Sequence, residues 1–287
     1  MSAGTVGAAV RRLTARFAAA ELDTPRLDAE LLVAHAIGAD RARLFLSPDR
    51  PLTDAQAAAV EALERGRAEV RASVAHLTGV RGFRHLDLHV DSRVLIPRPE
   101  TELLVEVGLE LPRGAIVVDV GTGSGAVALA LADERPDLEL HATDVSRDAL
   151  DVARANAARL GLHVAFHEGD LLADAVPADR GGRPLAVLSN PPYVPETDRA
   201  TLAPEVRDHD PHLALFGGPD GLDVVRRLLP AARAAEADLV ALEIGRGQAP
   251  ATEALARQAG FAATETRDDL AGIGRVVVAR AAVGKAA

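Results

Sequence analysis

The stretch from Ile116 to Ala130, Ile-Val-Val-Asp-Val-Gly-Thr-Gly-Ser-Gly-Ala-Val-Ala-Leu-Ala, constrains the fold more than any other. A continuous apolar run with no polar alternation reads as a strand buried on both faces, and the Ala/Val/Leu run beyond the glycines reads as a helix. Strand, glycine loop and helix in that order make a nucleotide-binding unit. Glycines allow close backbone approach to a ligand, and N–H groups at the helix N-terminus face whatever docks there. Gly121, Gly123 and Ala126 fit the dinucleotide pattern G-x-G-x-x-A, whereas no lysine follows to complete a Walker loop.

The units that follow repeat the alternation of strand and helix. A strand from Leu138 to Ala142 leads to Asp144, about twenty residues past the loop, where an acid can hydrogen-bond ribose hydroxyls or serve as a helix N-cap. A helix over 147–160 and a strand over 164–167 lead to Asp170 and Leu171. The Asp170 carboxylate can accept the amino group of an adenine with Leu171 packed on the base, or it is an ordinary turn aspartate. A fourth strand, Leu185 to Leu188, ends in Asn190-Pro191-Pro192-Tyr193. Open α/β sheets bind ligands outside the carboxyl ends of their strands, and two prolines withhold two N–H donors there, which leaves an acceptor-rich site. Asn190 offers a side-chain amide, the prolines offer carbonyls, and Tyr193, the only tyrosine of the chain, offers an aromatic face. Such a site suits a planar group bearing NH2, a glutamine side chain or an aminated base, although Asn and Pro also form plain turns. Later come a helix over 222–237, a strand over 239–244, a helix over 249–260, and a pair of strands, 262–267 and 275–280, that adds an antiparallel member to a parallel sheet.

Ahead of this unit, helical spacing of apolar residues from Thr5 to about Ala72 predicts a small helical domain, residues 1–78, in which Thr53 and Gln56 fit a capping box. Residues 79–95 alternate at the strand period and predict a β-hairpin linker with Asp91-Ser92 as its turn. His85 and His89 would share a strand face about 13 Å apart, too far for one ion, so no metal site is expected. Residues 96–287 form the larger domain, opening on Ile96-Pro97-Arg98-Pro99-Glu100-Thr101-Glu102, where two prolines fix the backbone of Arg98 and could aim it at the neighbouring site. The segment from Val194 to Asp220 holds four prolines and little periodicity, which predicts a substrate-facing lid containing His209 and His212.

Composition narrows the partners. The 287 residues include no cysteine, which excludes disulfides and thiolate metal sites. A net charge of −10 disfavours a sequence-independent grip on nucleic-acid phosphates. The start of the chain has no basic segment followed by a long apolar run, and no stretch reaches the length of a membrane span, so a cytoplasmic location without membrane contact is expected.

The motifs together resemble the release factor glutamine methyltransferase family, known as HemK or PrmC, within the class I S-adenosylmethionine-dependent methyltransferases. The resemblance spans nearly the whole chain and rests on residues 96–102, the loop from Asp119 to Gly125, Asn190-Pro191-Pro192-Tyr193, Ala214-Leu215-Phe216-Gly217-Gly218 with Asp220-Gly221-Leu222-Asp223, and Asp269-Leu270-Ala271-Gly272 ahead of Arg275-Val276. It implies a doubly wound, mostly parallel, seven-stranded Rossmann-like α/β sheet with a helical N-terminal substrate-docking domain. It implies S-adenosylmethionine as cofactor, contacted by Gly121, Thr122, Gly123, Ser124, Gly125, Asp144 and Leu171, with Asp170 and Asn190 beside it, and a substrate amide held by Asn190, Pro191, Pro192 and Tyr193. The implied substrate is the glutamine in the Gly-Gly-Gln loop of peptide chain release factors, acted on by a monomer. Arg84, His76, His209, Asp210 and Leu171 depart from residues frequent in the family. Three other readings stay open: an adenine-specific nucleic-acid methyltransferase, which shares the Asn-Pro-Pro-Tyr box, a dinucleotide-dependent oxidoreductase, and a non-catalytic cofactor-binding adaptor.

Overall fold

The computed structural model describes residues 4–282, so the outer ends of the expected domains lie outside the described residues. Helices α1 (Val6–Ala19), α2 (Pro25–Ile37), α3 (Arg41–Leu46), α4 (Asp54–Ala68) and α5 (Val74–Thr78) precede the hairpin strands β1 (Val80–Phe83) and β2 (Leu86–His89). Then come α6 (Glu102–Leu109), β3 (Ile116–Val120), α7 (Ala126–Glu134), β4 (Glu139–Asp144), α8 (Arg147–Leu160), β5 (Ala165–Glu168) and β6 (Leu185–Ser189). Short helices α9 (Pro204–Arg207) and α10 (His212–Leu215) are followed by α11 (Asp223–Ala234), β7 (Leu239–Glu243), α12 (Ala249–Gln258), β8 (Ala263–Asp268) and β9 (Gly274–Arg280). The chain divides into two compact units, one made of the residues up to Val80 with Pro204–His209, the other of Arg81–Ala203 with the residues from Asp210 on.

The helical unit follows from its caps and its apolar spacing. Thr5, Asp40, Thr53 and Ser73 each accept a backbone N–H at a helix start, and Thr53 with Gln56 forms the full capping box. On α1, Val6, Ala9, Leu13 and Phe17 fall on one face and are buried with Leu32, Val33, Leu44 and Val60. Segment 204–209 joins this unit through charge. Arg67, itself buried, donates to Asp28 (2.7 Å) and to Glu205 (3.1 Å), Arg71 pairs with Glu205 at 3.0 Å, and His209 Nε2 lies 2.9 Å from the Val70 carbonyl.

In the larger unit seven strands form one sheet in the order β5-β4-β3-β6-β7-β9-β8, all parallel except β9, which runs antiparallel to both neighbours. Every residue of β3, β6 and β7 is buried, which is why these runs lack alternation. Val117 and Ala186 point into a core shared with α6 and α7, while Ile116, Val118 and Val187 point into one shared with α11. Helices therefore cover both faces, as the sequence implied.

Two local expectations are corrected. The hairpin turns at Arg84-His85, between β1 and β2, and not at Asp91-Ser92, which lies beyond the second strand. Arg84 adopts φ +52°, and its guanidinium forms a two-pronged pair with Glu134 at 2.8 and 2.7 Å while its N–H reaches Glu102, contacts that hold a conformation a bulky residue rarely adopts. The connection over 194–220 is also more ordered than its prolines predict. It holds a 3-10 segment at Glu196–Thr201 together with α9 and α10, and Val194 bridges to Phe216.

Candidate active site

The strand order reverses between β3 and β6, and Val120 stands opposite Ser189. The glycine loop and the Asn-Pro-Pro-Tyr segment therefore leave the sheet side by side, at the point where open α/β sheets bind ligands. The Ser189 hydroxyl donates to the Val120 carbonyl at 2.7 Å and ties the two strand ends together. Above them lies a cavity of about 520 Å³ lined by Val94, Thr101, residues 119–124, Asp144, Val145, Asp170, Leu171, Asn190, Pro192 and Leu213, among others. Its size falls in the range of sites for drug-sized ligands and cofactors.

The loop is held from below by side chains. Asp119, at the end of β3, is 2% exposed; its Oδ2 accepts from the Thr122 hydroxyl (2.7 Å) and from the Ala128 N–H (3.2 Å). Burial pushes its carboxyl up to about 6, against the pull of those two donors. The N–H groups of Gly121 and Thr122 both donate to the Thr143 carbonyl. Buried Asn156 on α8 donates to the carbonyls of Ser124 (3.0 Å) and His89 (2.9 Å), and so pins the far end of the loop. Gly125 caps α7 at φ +86°, where a Cβ would stand 2.8 Å from the Leu129 side chain, so glycine is required twice over.

Asp144 closes β4. Its Oδ2 accepts from the Gly123 N–H and its Oδ1 from the Ser146 N–H, and burial raises its pKa. Ser146 is the N-cap of α8, so the helix-cap alternative for Asp144 is set aside. A carboxylate has about four acceptor positions, so capacity remains for a ligand's hydroxyl. Leu171 lines the cavity at φ +52°, and its carbonyl accepts from Thr143 at 2.6 Å. Asp170 also lines it, with its carboxylate paired to Arg227.

In the tetrapeptide, Asn190 and Pro192 line the cavity; Pro191 is buried and Tyr193 is half-buried outside the lining. Burial, and then the charge of Glu243, pushes the Tyr193 phenol well above its ordinary value. A glycine turn supports the segment: a Cβ on Gly217 would lie 2.2 Å from the Pro192 carbonyl oxygen, and one on Gly221 2.1 Å from that of Tyr193. The Tyr193 carbonyl accepts from Gln248 Nε2 at 3.0 Å. Asn190 donates its Nδ2 to Thr101 Oγ1 (3.1 Å), and Thr101 donates to Glu243 Oε2 (2.6 Å). Asn190 Oδ1 is buried and accepts no hydrogen bond from the described residues.

Arg98, fixed between its prolines, donates to buried Asp210 at 2.8 Å and so anchors the 194–220 connection, from which Pro211, Leu213 and Ala214 line the cavity. His212 contacts Arg199, and His209 belongs to the helical unit. Asp119, Thr101, Asn156 and Glu243 were not singled out from the sequence. Asp119 and Glu243 each carried a signal, as the one acid inside an otherwise apolar strand.

Comparison with known proteins agrees with this geometry. Residues 8–79 match the PrmC N-terminal domain and residues 98–207 the Methyltransferase small domain. The release factor glutamine methyltransferase of Deinococcus radiodurans is 45% identical over 277 residues, covering 94% of this chain and 96% of that protein. That of Mycolicibacterium smegmatis is 48% identical over 224 residues, covering 77% of each. A methyltransferase from Pyrococcus furiosus, 17% identical, shares the fold with a TM-score of 0.53 over 70% of this chain and 91% of that one. With a glycine loop and an Asn-Pro-Pro-Tyr segment on adjacent strand ends of a seven-stranded sheet, and a relative at 45% identity matching nearly end to end, the chain belongs to the release factor glutamine methyltransferase family.

Proposed function

We propose that the protein transfers a methyl group from S-adenosylmethionine to the side-chain amide nitrogen of the glutamine in the Gly-Gly-Gln loop of peptide chain release factors. The observation that carries this reading is Asn190 Oδ1, a buried acceptor beside the glycine loop with its own NH2 already engaged. An unpaired buried acceptor is costly, and an incoming N–H removes that cost.

The residues present fit the cofactor. The remaining acceptor capacity of Asp144 would take a ribose hydroxyl, Gly121 to Gly125 would face the methionine end, and Asp170 with Leu171 would lie at the adenine. When bound, S-adenosylmethionine supplies an electrophilic methyl on a sulfonium. The task left to the chain is to hold a weakly nucleophilic amide nitrogen, whose lone pair is delocalised. Asn190 Oδ1 would accept one of its N–H bonds and a backbone carbonyl of the adjoining proline stretch the other, which orients the nitrogen and favours positive charge developing on it. No basic side chain is needed before transfer, since an amide alkylated on nitrogen is acidic and loses its proton afterwards.

Incubation with methyl-labelled S-adenosylmethionine and a purified release factor, with DNA and RNA in parallel, tests the reading. Label on the glutamine by peptide mass spectrometry is the expected result; label on nucleic acid alone would replace it with the adenine reading.

A further inference from the structure

The route from Glu243 through Thr101 to Asn190 does more than fill space. Glu243 ends β7, and the pairing of Ser189 with Leu242 sets it beside Asn190, the residue after Ser189. Thr101 ends the 3-10 turn Pro99–Thr101 and is 4% exposed; Glu243 is 1% exposed. The orientation of the Asn190 amide follows from the donors and acceptors around it. An ionised carboxylate only accepts, so the Thr101 proton must point at Glu243. The Thr101 oxygen can then only accept from Asn190, which must turn its NH2 inward and its oxygen to the cavity.

We infer that Thr101 and Glu243 are positioning residues which set the polarity of the Asn190 amide, so that the cavity presents an acceptor and not a donor to a carboxamide N–H. The inference rests on the proposed transfer to a glutamine amide. Reversing the chain of donors reverses the outcome. A protonated Glu243 can donate to Thr101, which frees the Thr101 proton for Asn190 Oδ1, and the flipped amide then opposes N–H to N–H. Burial holds the Glu243 carboxyl up to about 7, with Glu100 adding to the effect and Thr101, Tyr193 and Arg275 countering it. These groups face it from the 3-10 turn, the tetrapeptide and β9, and Arg275 is itself paired with Asp269 at 2.9 Å.

The test combines turnover with side-chain NMR on the full chain. T101V should lower kcat for release factor methylation by about tenfold or more, while T101S restores most of it, because only the hydroxyl carries the polarity. Affinity for S-adenosylmethionine should change by less than about threefold in both, since that site is built elsewhere in the cavity. The wild-type kcat should fall about tenfold per pH unit below the Glu243 titration, and E243Q should remove that limb. The Asn190 side-chain amide protons should exchange slowly with solvent in the wild type and in T101S, and quickly in T101V. Wild-type turnover in T101V with unchanged Asn190 exchange would overturn the inference, as would persistence of the acid limb in E243Q. If the wild type methylates no release factor, the substrate reading fails, and the Asn190 exchange alone decides the relay.

Discussion

In the proposed transfer the chemistry turns on Asn190, which combines an engaged NH2 with a buried oxygen that accepts no hydrogen bond from the described residues. Asn190→Ala should lower methyl transfer by about 10²–10³-fold, the scale seen when one preorganised polar group facing developing charge is removed. Calorimetry should show the affinity for S-adenosylmethionine little changed; equal loss of both would move Asn190 from the substrate to the cofactor. Asp119 acts one step further back. Asp119→Ala removes the oxygen that accepts from both the Thr122 hydroxyl and the Ala128 N–H, so a loss of about 1–3 kcal/mol in chemical denaturation and weaker cofactor binding are expected. The place of Asn190 at a strand end beside the glycine loop was legible in the sequence, since the apolar run before it and the two prolines after it act locally. Its amide orientation was not, because Thr101 lies 89 residues away and Glu243 a further 142 from Thr101.

Elements built on period were readable, and elements built on contact were not. The buried strands β3, β6 and β7 announced themselves as apolar runs without alternation, and α8 was expected over 147–160, where it lies. The hairpin turn was misplaced because what stabilises it is a pair between Arg84 and Glu134, fifty residues on, and not a local turn signal. Around the tetrapeptide the decisive element is the glycine turn from Gly217 to Gly221. A methyl at 217 would overlap the Pro192 carbonyl, so Gly217→Ala should destabilise by about 1–3 kcal/mol and displace the acceptors of the site. Thermal melting and turnover should fall together in that variant, whereas Asn190→Ala should lower turnover alone.

At the level of the whole molecule, pH should act on stability and on activity in opposite senses. Asp119 and Glu243 both have raised carboxyl pKa values, about 6 and about 7, chiefly through burial. A group that binds its proton more tightly when folded adds stability as pH falls from above its folded value towards its unfolded one, so denaturation midpoints should rise from pH 8 to about pH 5. Glu134, Glu139 and Glu205 have lowered values, and the stability they contribute is lost as pH falls further, below about 4. The expected curve has its maximum on the acid side of neutrality, while turnover declines there; a stability maximum at pH 8 would contradict the burial of both acids.

The sequence by itself determined the α/β class, the position of the glycine loop and the strand end that carries Asn-Pro-Pro-Tyr, because period, proline and glycine act within a few residues of where they stand. Only the tertiary structure decided that Pro204–His209 belongs with the helical unit, drawn there by a Glu205–Arg67 pair 138 residues apart, and that Glu243, Thr101 and Asn190 form one line of hydrogen bonds. The reason is that strand order and register are set by which apolar faces bury against one another across the whole sheet. Polar residues at the strand ends then meet as a consequence of that packing, with no mark of the encounter in their local sequence.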